Sequence, residues 1–339
     1  MYNKEKVCCF GEALLRFSPG NDFLADASMP AFLGGAELNV ASALAAWDTS
    51  VKYITALPDN YLAEEIIGHI KARNINTDEI IYSGDRVGSY YLRQGADLKN
   101  NSVVYDRQYS SFSVLKPGDI DWNKILENVS RFHFSAICPA LSEQAAAVCL
   151  EAVQAAASKN IIISVDLNYR SKLWKYGKEP AAVMKPLLEY CDLIMGNIWS
   201  AEKLAGIDLP KDFGITSLSK VELTKQATST SKKIMQDFPR CKTVANTFRF
   251  DTDAGINYYA TLHTAGENYC SAEYNVNTII DRSGSGDCFM GGLIYGSINK
   301  FSSQDTVDFA AAAAVAKLQQ KGDATASTIT EVKQNMKHG

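Results

Sequence analysis

A short stretch late in the chain combines small residues with an acid, and it could bind and act on an anion. It reads Gly284-Ser285-Gly286-Asp287. The β-branched run before it predicts a strand over Tyr274–Ile280, and the spacing of apolar residues after it predicts a helix over Cys288–Ile298. Small residues at a strand-to-helix turn let backbone N–H groups converge, and a helix N-terminus adds partial positive charge. The turn is therefore a candidate phosphate site.

The acid at the edge of this turn narrows the chemistry. The carboxylate of Asp287 would repel a phosphate unless it had a task, and removing a proton from an incoming hydroxyl is such a task. The alternative is a tight turn with an acidic residue in the first turn of the helix. This stretch alone leaves both interpretations open.

Two further groups of residues could contact a ligand. Gly34-Gly35 opens a predicted helix that runs to about Trp47, and Asn39 one turn inside could offer a donor and an acceptor to a polyol. Otherwise the glycines shape a turn and Asn39 is solvated. Arg170 follows a predicted strand, where ligands bind in open α/β sheets, and its guanidinium could bind a carboxylate as a fork.

A predicted hairpin interrupts the alternation of strands and helices. The segments 87–93 and 102–107 read as two strands with no helix between them. They suggest a lid from which Tyr90, Tyr105 and Arg107 project. In the alternative, both tyrosines pack on the hairpin and Arg107 is solvated.

The elements that must position these residues alternate between strand and helix along most of the 339-residue chain, and one of the predicted strands is Thr243–Asn246. That order predicts an α/β fold with a mostly parallel central sheet. The length fits one large domain, or one large domain with a small one.

Composition narrows the class of protein. The formal charge of −4 argues against nucleic acid or an anionic membrane as partner. We find no signal peptide and no apolar run of 18 residues. Eight cysteines in mostly apolar stretches predict reduced, buried thiols in a cytoplasmic protein, and four histidines without ligand spacing argue against a zinc site.

Together these features resemble the ribokinase-like (PfkB) carbohydrate kinases over almost the whole chain. The late signature of that family, D-x-x-G-A-G-D, is similar to 281–287 with Ser285 in place of alanine, and the early signature is similar to 34–41. The resemblance implies a Rossmann-like ribokinase fold in a single domain over 1–339, with a small β-sheet lid formed by about 13–33 and 86–113. It also implies ATP and Mg²⁺ as cofactors, and a monovalent cation binds in many members of the wider family.

Within the family, the chain is similar to kinases that phosphorylate 2-keto-3-deoxygluconate. The similarity lies in 34–39, 55–60, 104–107, 135–141 and 166–170 with Leu173-Trp174. It implies that the sugar acid contacts Gly34, Tyr90, Tyr105, Arg107, Ile137 and Arg170. Gly35 and Asn39 are further candidates for substrate contacts, because of their position at the start of the predicted helix. Arg16 stands where neutral-sugar kinases tend to carry an aspartate, and would be a third cation near the substrate.

The resemblance also implies a mechanism. Asp287 would deprotonate the C6 hydroxyl, which attacks the γ-phosphorus of ATP, and the N–H groups of Gly284, Ser285 and Gly286 would hold the developing charge. The implied nucleotide contacts are Asn197, Thr247, Arg249, Gly284, Gly286 and Gly322. Glu202 and Asp281 would lie near the metal or the phosphates.

Two departures from the family pattern affect the nucleotide side. The usual N-x-x-E becomes Asn197-Ile198-Trp199-Ser200-Ala201-Glu202, and Thr247-Phe248-Arg249 stands where Lys-x-Gly-x-x-Gly is frequent.

Alternative functions remain open at this stage. One is a kinase of the same fold for another sugar, either a ketohexose such as fructose or another sugar acid. Another is a non-catalytic protein that binds a sugar or a nucleotide. An apolar face on the lid would favour a homo-oligomer, a dimer or higher, that pairs lid to lid.

Overall fold

The structure is a computed structural model that describes residues 6–20, 28–93, 103–210, 213 and 219–337. The parts of the predicted lid at 21–27 and 94–102 lie outside the described residues. The strands are β1 Lys6–Phe10, β2 Leu14–Phe17, β3 Ala31–Gly34, β4 Ser50–Ile54, β5 Ala56–Leu57, β6 Ile81–Tyr82, β7 Gly88–Leu92, β8 Val103–Asp106, β9 Arg131–Ser135, β10 Ile162–Asp166, β11 Leu193–Gly196, β12 Thr243–Thr252, β13 Gly255–Thr264, β14 Asn268–Cys270 and β15 Tyr274–Val276. The helices are α1 Ala36–Ala46, α2 Tyr61–Lys71, α3 Trp122–Ile125, α4 Glu143–Ser158, α5 Pro180–Leu188, α6 Ile198–Ala205, α7 Lys220–Asp237, α8 Ser285–Ile298, α9 Ser303–Leu318 and α10 Ile329–Asn335.

A large central sheet carries the fold. In the described chain its strand order is β14-β13-β12-β11-β10-β9-β1-β4, and β15 pairs with β13. Strands β4, β1, β9, β10, β11 and β12 run parallel to one another, while β13, β14 and β15 pair antiparallel at one side. Apolar clusters cover both faces, one with α1, α2, α8 and α9 and the other with α4, α5 and α6. A mostly parallel sheet buried by helices on both faces confirms the predicted α/β class.

A separate four-stranded sheet, here called the small sheet, has the order β3-β2-β7-β8. Strands β2 and β7 are parallel, and β3 and β8 flank them antiparallel. Leu14, Tyr90, Leu92 and Val103 form its buried cluster, with Tyr105 packed against it. The predicted hairpin at 87–107 is present in the described residues as β7 and β8.

Helices α8 and α9 pack backbone to backbone. A Cβ placed on Gly292 of α8 would lie 2.6 Å from the Cα of Ala310 in α9. The alanine-rich run of α9 has no side chain long enough to separate the two helices, and Phe309 to Ala314 are fully buried. This contact sets α8, and with it the turn before α8, firmly against the core.

Three element boundaries differ from those predicted. Strand β15 ends at Val276 rather than Ile280, because the N–H of Ile280 pairs with the carbonyl of Leu318 at 2.8 Å instead of with a strand. Helix α8 begins at Ser285 rather than Cys288. Strand β12 extends to Thr252, since it forms a ten-residue hairpin arm with β13.

The remaining expectations from composition concern cysteines, metals and membranes. All eight cysteines are free thiols, and all but Cys270 are buried. Among the described residues, no group of three or more His, Cys, Asp or Glu side chains could hold a metal ion. No helix in that part of the chain has the length and apolar character to cross a membrane.

Candidate active site

A cavity of about 680 Å³ lies where the carboxyl ends of β10 and β11 meet the small sheet and the start of α8. This is the location at which open α/β sheets bind ligands. It brings together, among the predicted site residues, Gly35, Asn39, Tyr90, Tyr105, Arg107, Ile137, Arg170, Asn197, Thr247, Arg249, Gly284, Ser285, Gly286 and Asp287.

The turn before α8 has the form of an anion site. Gly284 is the N-cap residue with a φ of 79°, and no side chain caps the helix. A Cβ on Gly284 would lie 1.8 Å from the carbonyl oxygen of Asp323, so this position needs glycine. The hydroxyl of Ser285 donates to the carbonyl of Ala314 at 3.1 Å, which turns it away from the helix start. The first N–H groups of α8 thus stay available to a ligand.

Asp287 lies in the first turn of α8, and its side chain is buried. Burial raises the pKa of its carboxyl to about 7. The hydrogen bond from Asn39 and the charge of Arg170 lower that pKa, whereas the charge of Glu37 raises it. A carboxyl with a pKa near 7 is suited to general-base catalysis near neutral pH.

Asn39 lies in α1, directly behind the glycine pair. Gly35, with a φ of 140°, approaches the carbonyl of Glu12 so closely that a Cβ there would lie 2.4 Å from it. Asn39 Nδ2 donates to Asp287 Oδ2 at 2.7 Å. Asn39 Oδ1 is buried without a hydrogen-bond partner in the described protein, which leaves an acceptor for a ligand hydroxyl.

The two arginines predicted to bind a carboxylate differ in their partners. Arg107 is buried, and its Nη2 lies 2.5 Å from Glu12 Oε2. The other oxygen of Glu12 accepts a hydrogen bond from Ser110. Arg170 donates only a long hydrogen bond of 3.4 Å to the carbonyl of Tyr169 and forms no ion pair with any described residue. Arg170 is therefore the arginine whose charge is open to a ligand.

The small sheet contributes two tyrosines to the cavity. The rings of Tyr90 and Tyr105 lie 6.1 Å apart in a tilted arrangement. The Tyr90 hydroxyl donates to Asp323 Oδ2 at 3.0 Å. Burial raises the pKa of Tyr90 well above its ordinary value, so the phenol stays protonated.

The nucleotide side is built from β11, α6 and the long β12. Asn197 caps α6 through a 2.8 Å bond from the Ser200 N–H to its Oδ1, which leaves its Nδ2 to donate elsewhere. Thr247 and Arg249 reach the cavity because β12 extends beyond the predicted strand end. Trp199 adds an exposed indole to the wall.

Five predicted site residues do not line the cavity. Gly34 and Gly322 lie just behind the wall, where a Cβ on Gly34 would lie 2.4 Å from Asp323 Oδ2, and the N–H of Gly322 donates to Asp281 Oδ2 at 3.1 Å. Glu202 is half-buried and lies outside the cavity lining, where it pairs at 3.1 Å with Lys203, a residue that does line the cavity. This placement corrects its assignment to a metal.

Arg16 and Asp281 neutralise each other and are also corrected. The Nη2 of Arg16 lies 2.6 Å from Asp281 Oδ2, and its Nε lies 2.7 Å from Asp323 Oδ1. Asp281 also accepts from the N–H of Ser283 at 3.0 Å. Neither the charge of Arg16 nor the carboxylate of Asp281 is therefore open to a ligand.

Sequence reasoning missed the buried acids around the site: Glu12, Glu37, Asp166 and Asp323. Asp166 could have been predicted as a site residue, because it is the last residue of the strand that precedes Arg170. Burial raises its pKa well above the ordinary value, and the nearby charge of Asp287 adds to that effect. The roles of Glu12 and Asp323 depend on contacts far apart in the chain, and no local signal predicts them.

Comparisons with known proteins show the family and the fold. The model of the pfkB family of carbohydrate kinases matches residues 4–237 and 254–330. A 2-dehydro-3-deoxygluconokinase from Thermotoga maritima is 35% identical, with a TM-score of 0.87 over 97% of this chain and 98% of that one. A PfkB family carbohydrate kinase from Listeria grayi is 28% identical, with a TM-score of 0.84 over 97% of this chain and 99% of that one. A 2-dehydro-3-deoxygalactonokinase from Haloferax volcanii is 26% identical over 98% of this chain and 97% of its own length.

The chain belongs to the pfkB family of carbohydrate kinases. It is a phosphotransferase that acts on a sugar, and membership in this kinase family implies that ATP is the donor. The predicted resemblance and the ribokinase fold are both confirmed.

Proposed function

We propose that this protein transfers the γ-phosphoryl group of ATP to the C6 hydroxyl of 2-keto-3-deoxy-D-gluconate, giving 2-keto-3-deoxy-6-phosphogluconate and ADP. The observation that carries the substrate class is Arg170, a half-buried cation in the cavity wall that forms no ion pair with a described residue, although its charge reaches Asp166 and Asp287. A sugar carboxylate supplies the charge that such a guanidinium needs. The similarity to 2-dehydro-3-deoxy sugar-acid kinases supports the same substrate class.

In this proposal Asp287 is the general base. It takes the proton of the C6 hydroxyl, and the resulting oxygen nucleophile attacks the γ-phosphorus while the bond to the leaving ADP oxygen breaks. Asn39 orients the carboxylate by its 2.7 Å hydrogen bond. The N–H groups of Gly284, Ser285 and Gly286 stabilise the negative charge on the transferred group, and the loss of one such donor typically costs about 10²–10³ in rate.

The residues of the turn fit the phosphates of ATP. The start of α8 has no side-chain cap, and a Cβ on Gly286 would meet nothing within 4 Å, which leaves room for a bound group beside the backbone. We assign Asn197, Thr247 and Arg249 to the nucleotide, since all three line the cavity.

The predicted metal residues do not fit Mg²⁺, because neither Glu202 nor Asp281 lines the cavity. Mg²⁺ is commonly held through substrate phosphates and water, with few protein ligands.

One alternative remains as an outcome of the test, a kinase of the same fold for another sugar. Arg107 is neutralised by Glu12, an observation that favours a neutral ketohexose such as fructose or a different sugar acid. The non-catalytic alternative is not retained, because the chain belongs to a kinase family and carries the buried acid at the turn.

A coupled assay of ADP release with a panel of sugars tests the proposal. We expect the highest kcat/KM with 2-keto-3-deoxygluconate and a product phosphorylated at C6 by NMR. A preference for fructose or ribose would overturn the assignment of a sugar acid.

The same assay on an arginine variant tests what selects the substrate. Arg170→Met should raise the KM for the sugar acid about 10- to 100-fold, because a hydrogen-bonded charge pair contributes roughly 1.5–3 kcal/mol. Turnover of a neutral sugar should change little. The matched control is Arg240→Met, whose guanidinium pairs with Asp192 outside the cavity wall.

A further inference from the structure

Lys317 is a buried lysine that the proposed mechanism does not use. It lies near the end of α9, and its side chain is fully buried. Its Nζ donates a 3.2 Å hydrogen bond to the carbonyl of Gln320 and forms no ion pair with a described residue. A leucine would fill the same space at a lower desolvation cost, because a buried ammonium loses its hydration. The presence of a charge at this position therefore needs an explanation.

The ammonium lies behind the phosphate turn. The carbonyl of Ala314 accepts from the Ser285 hydroxyl at 3.1 Å. The carbonyl of Ala313 accepts from the Cys288 thiol at 3.3 Å. Residues three and four positions apart share a face of a helix, so Lys317 lies on the face of α9 that meets the first turn of α8. Burial raises the pKa of the Cys288 thiol to about 12, and the charge of Lys317 acts against this rise.

Two carboxylates near the turn act on the same ammonium. Burial lowers the pKa of Lys317, and the charges of Asp281 and Asp323 raise it. Asp281 precedes the turn and accepts from the N–H of Ser283 at 3.0 Å. Arg16 pairs with both acids, at 2.6 and 2.7 Å. Arg16 and Lys317 therefore balance the charges of two carboxylates that would otherwise oppose a phosphate at the turn.

We propose that Lys317 is the internal counterion of the phosphate turn and takes the place of a monovalent cation from solution. It is a positioning residue, because it does not line the cavity and acts on the phosphate only through the groups around the turn. Many members of the wider family bind a monovalent cation, but the residues here do not fit one. Asp281 and Asp323 already have Arg16 and Lys317 as counterions, and the ammonium would repel a further cation.

The first test needs only the wild type. The value of kcat/KM for ATP is measured at constant ionic strength and constant Mg²⁺, while tetramethylammonium is replaced stepwise by K⁺, Na⁺ or NH₄⁺. We expect a change of less than about twofold, since a cation that finds no site has no effect by mass action. A larger activation would show that the site takes its cation from solution and would overturn the proposal.

Two variants of Lys317 separate charge from space. Lys317→Met keeps an unbranched side chain and removes the charge, so the affinity for ADP by calorimetry should fall at least about tenfold, the effect of a lost charged partner. Lys317→Ala also leaves a cavity, which NH₄⁺ or methylammonium can enter, so these ions should raise its kcat/KM at least about fivefold. Lys317→Met has no such space and should not respond to them.

The matched control is another buried lysine, Lys52 on β4. Its ammonium donates to the carbonyl of Ile125 at 2.9 Å and pairs with Glu79 at 3.2 Å, outside the cavity wall. We expect Lys52→Ala to lower the melting temperature, to leave the affinity for ADP unchanged and to show no activation by NH₄⁺.

The inference rests on the assignment of the turn at 284–286 to the phosphates, which is part of the proposed function. The affinity for ADP is measured without a sugar, so the choice of substrate does not affect it. An unchanged affinity in Gly286→Ala would refute the phosphate assignment, and with it the inference. A loss in Gly286→Ala without a loss in Lys317→Met would overturn the inference alone.

Three results on the lysine variants would overturn the proposal: wild-type affinity for ADP in folded Lys317→Met, no response of Lys317→Ala to NH₄⁺, or an equal response of Lys52→Ala. A lower melting temperature of Lys317→Met with an unchanged affinity would mean a purely structural role. Should both Lys317 variants fail to fold, the cation series on the wild type still decides, because it needs no variant.

Discussion

Asn39 Nδ2 donates a 2.7 Å hydrogen bond to Asp287 Oδ2, and the two residues are 248 positions apart in the chain. The contact joins α1, which follows Gly34-Gly35, to α8, which begins directly after Gly284. It favours the charged form of a carboxyl that burial would otherwise keep protonated.

A pH profile reports this relationship directly. The pKa of Asp287 is raised to about 7, so a base at this position is protonated and inactive below that pH. We expect kcat/KM to fall about tenfold per pH unit on the acid side of 7. Asn39→Ala should move this limb to higher pH, because the hydrogen bond that stabilises the carboxylate is lost. A limb that keeps its midpoint in Asn39→Ala would contradict the assignment.

The same carboxyl should cost the protein stability when it is charged. Its pKa is about 7 in the folded protein against an ordinary value of 3.8, so the folded state binds more protons than the unfolded state between these values. The free energy of unfolding contributed by Asp287 therefore falls as pH rises from about 4 to 7.

Replacement by a neutral amide removes that cost. Asp287→Asn should lower kcat about 10²–10⁴-fold and raise the melting temperature at pH 8, with a smaller rise at pH 4. Calorimetry at the two pH values checks this expectation. An equal change at both would show that the buried charge is not the cause.

Two glycines of the turn should respond differently to alanine. Gly284 has a φ of 79° and no space for a Cβ, so Gly284→Ala should destabilise the fold by at least about 1–3 kcal/mol. Gly286 has open space around a Cβ, so Gly286→Ala should keep the wild-type melting temperature and lose at least about tenfold in kcat, because the methyl group competes with the phosphate. Full activity in folded Gly286→Ala would remove this residue from the phosphate site.

The buried pair of Arg107 and Glu12 should matter far more to stability than an exposed pair. Glu12→Ala leaves the guanidinium buried without its partner, which should cost about 3–5 kcal/mol in urea unfolding. Asp106→Ala, at the end of β8 and next to Arg107 in the chain, breaks the exposed pair with Arg86 and should cost about 1 kcal/mol or less. Similar losses in the two variants would show that Arg107 does not depend on Glu12.

The outer face of the small sheet supports the prediction of a homodimer. Val104 on the edge strand β8 is 60% exposed, and the rings of Phe17 and Tyr91 stack 5.4 Å apart beside it. We expect a dimeric mass by light scattering at micromolar concentration, and a larger monomer fraction for Val104→Lys. A monomeric wild type would refute the prediction.

The sequence predicted the parts of this site that depend on local signals. Glycines at a helix start predicted the turn at 284–286, and strand-end position predicted that Arg170 lies at the ligand edge of the sheet; both line the cavity, because backbone conformation and sheet topology depend on signals within a few residues. The acidic residues that pair with Arg16 and Arg107 were not predicted. Both arginines were assigned to the substrate, yet each is neutralised by an acid at least 90 positions away, and only the packing of the small sheet brings these charges together.

The end of β12 shows the same limit. The predicted strand stops at Asn246, but pairing with β13 extends β12 to Thr252 and brings Arg249 into the cavity wall. Cross-strand hydrogen bonds, rather than the residues of β12 themselves, determine that length.

The backbone contact between Gly292 and Ala310 has a mechanical consequence. Helices that touch without a layer of side chains between them have no rotamers to exchange, so α8 cannot slide or roll against α9 during a catalytic cycle. The phosphate turn is then fixed in position relative to the core, and any opening and closing around substrates must come from the small sheet. Adding a methyl group at Gly292 would drive the two helices apart and displace the phosphate turn. Catalysis would then be impaired without a change in any group that touches a substrate.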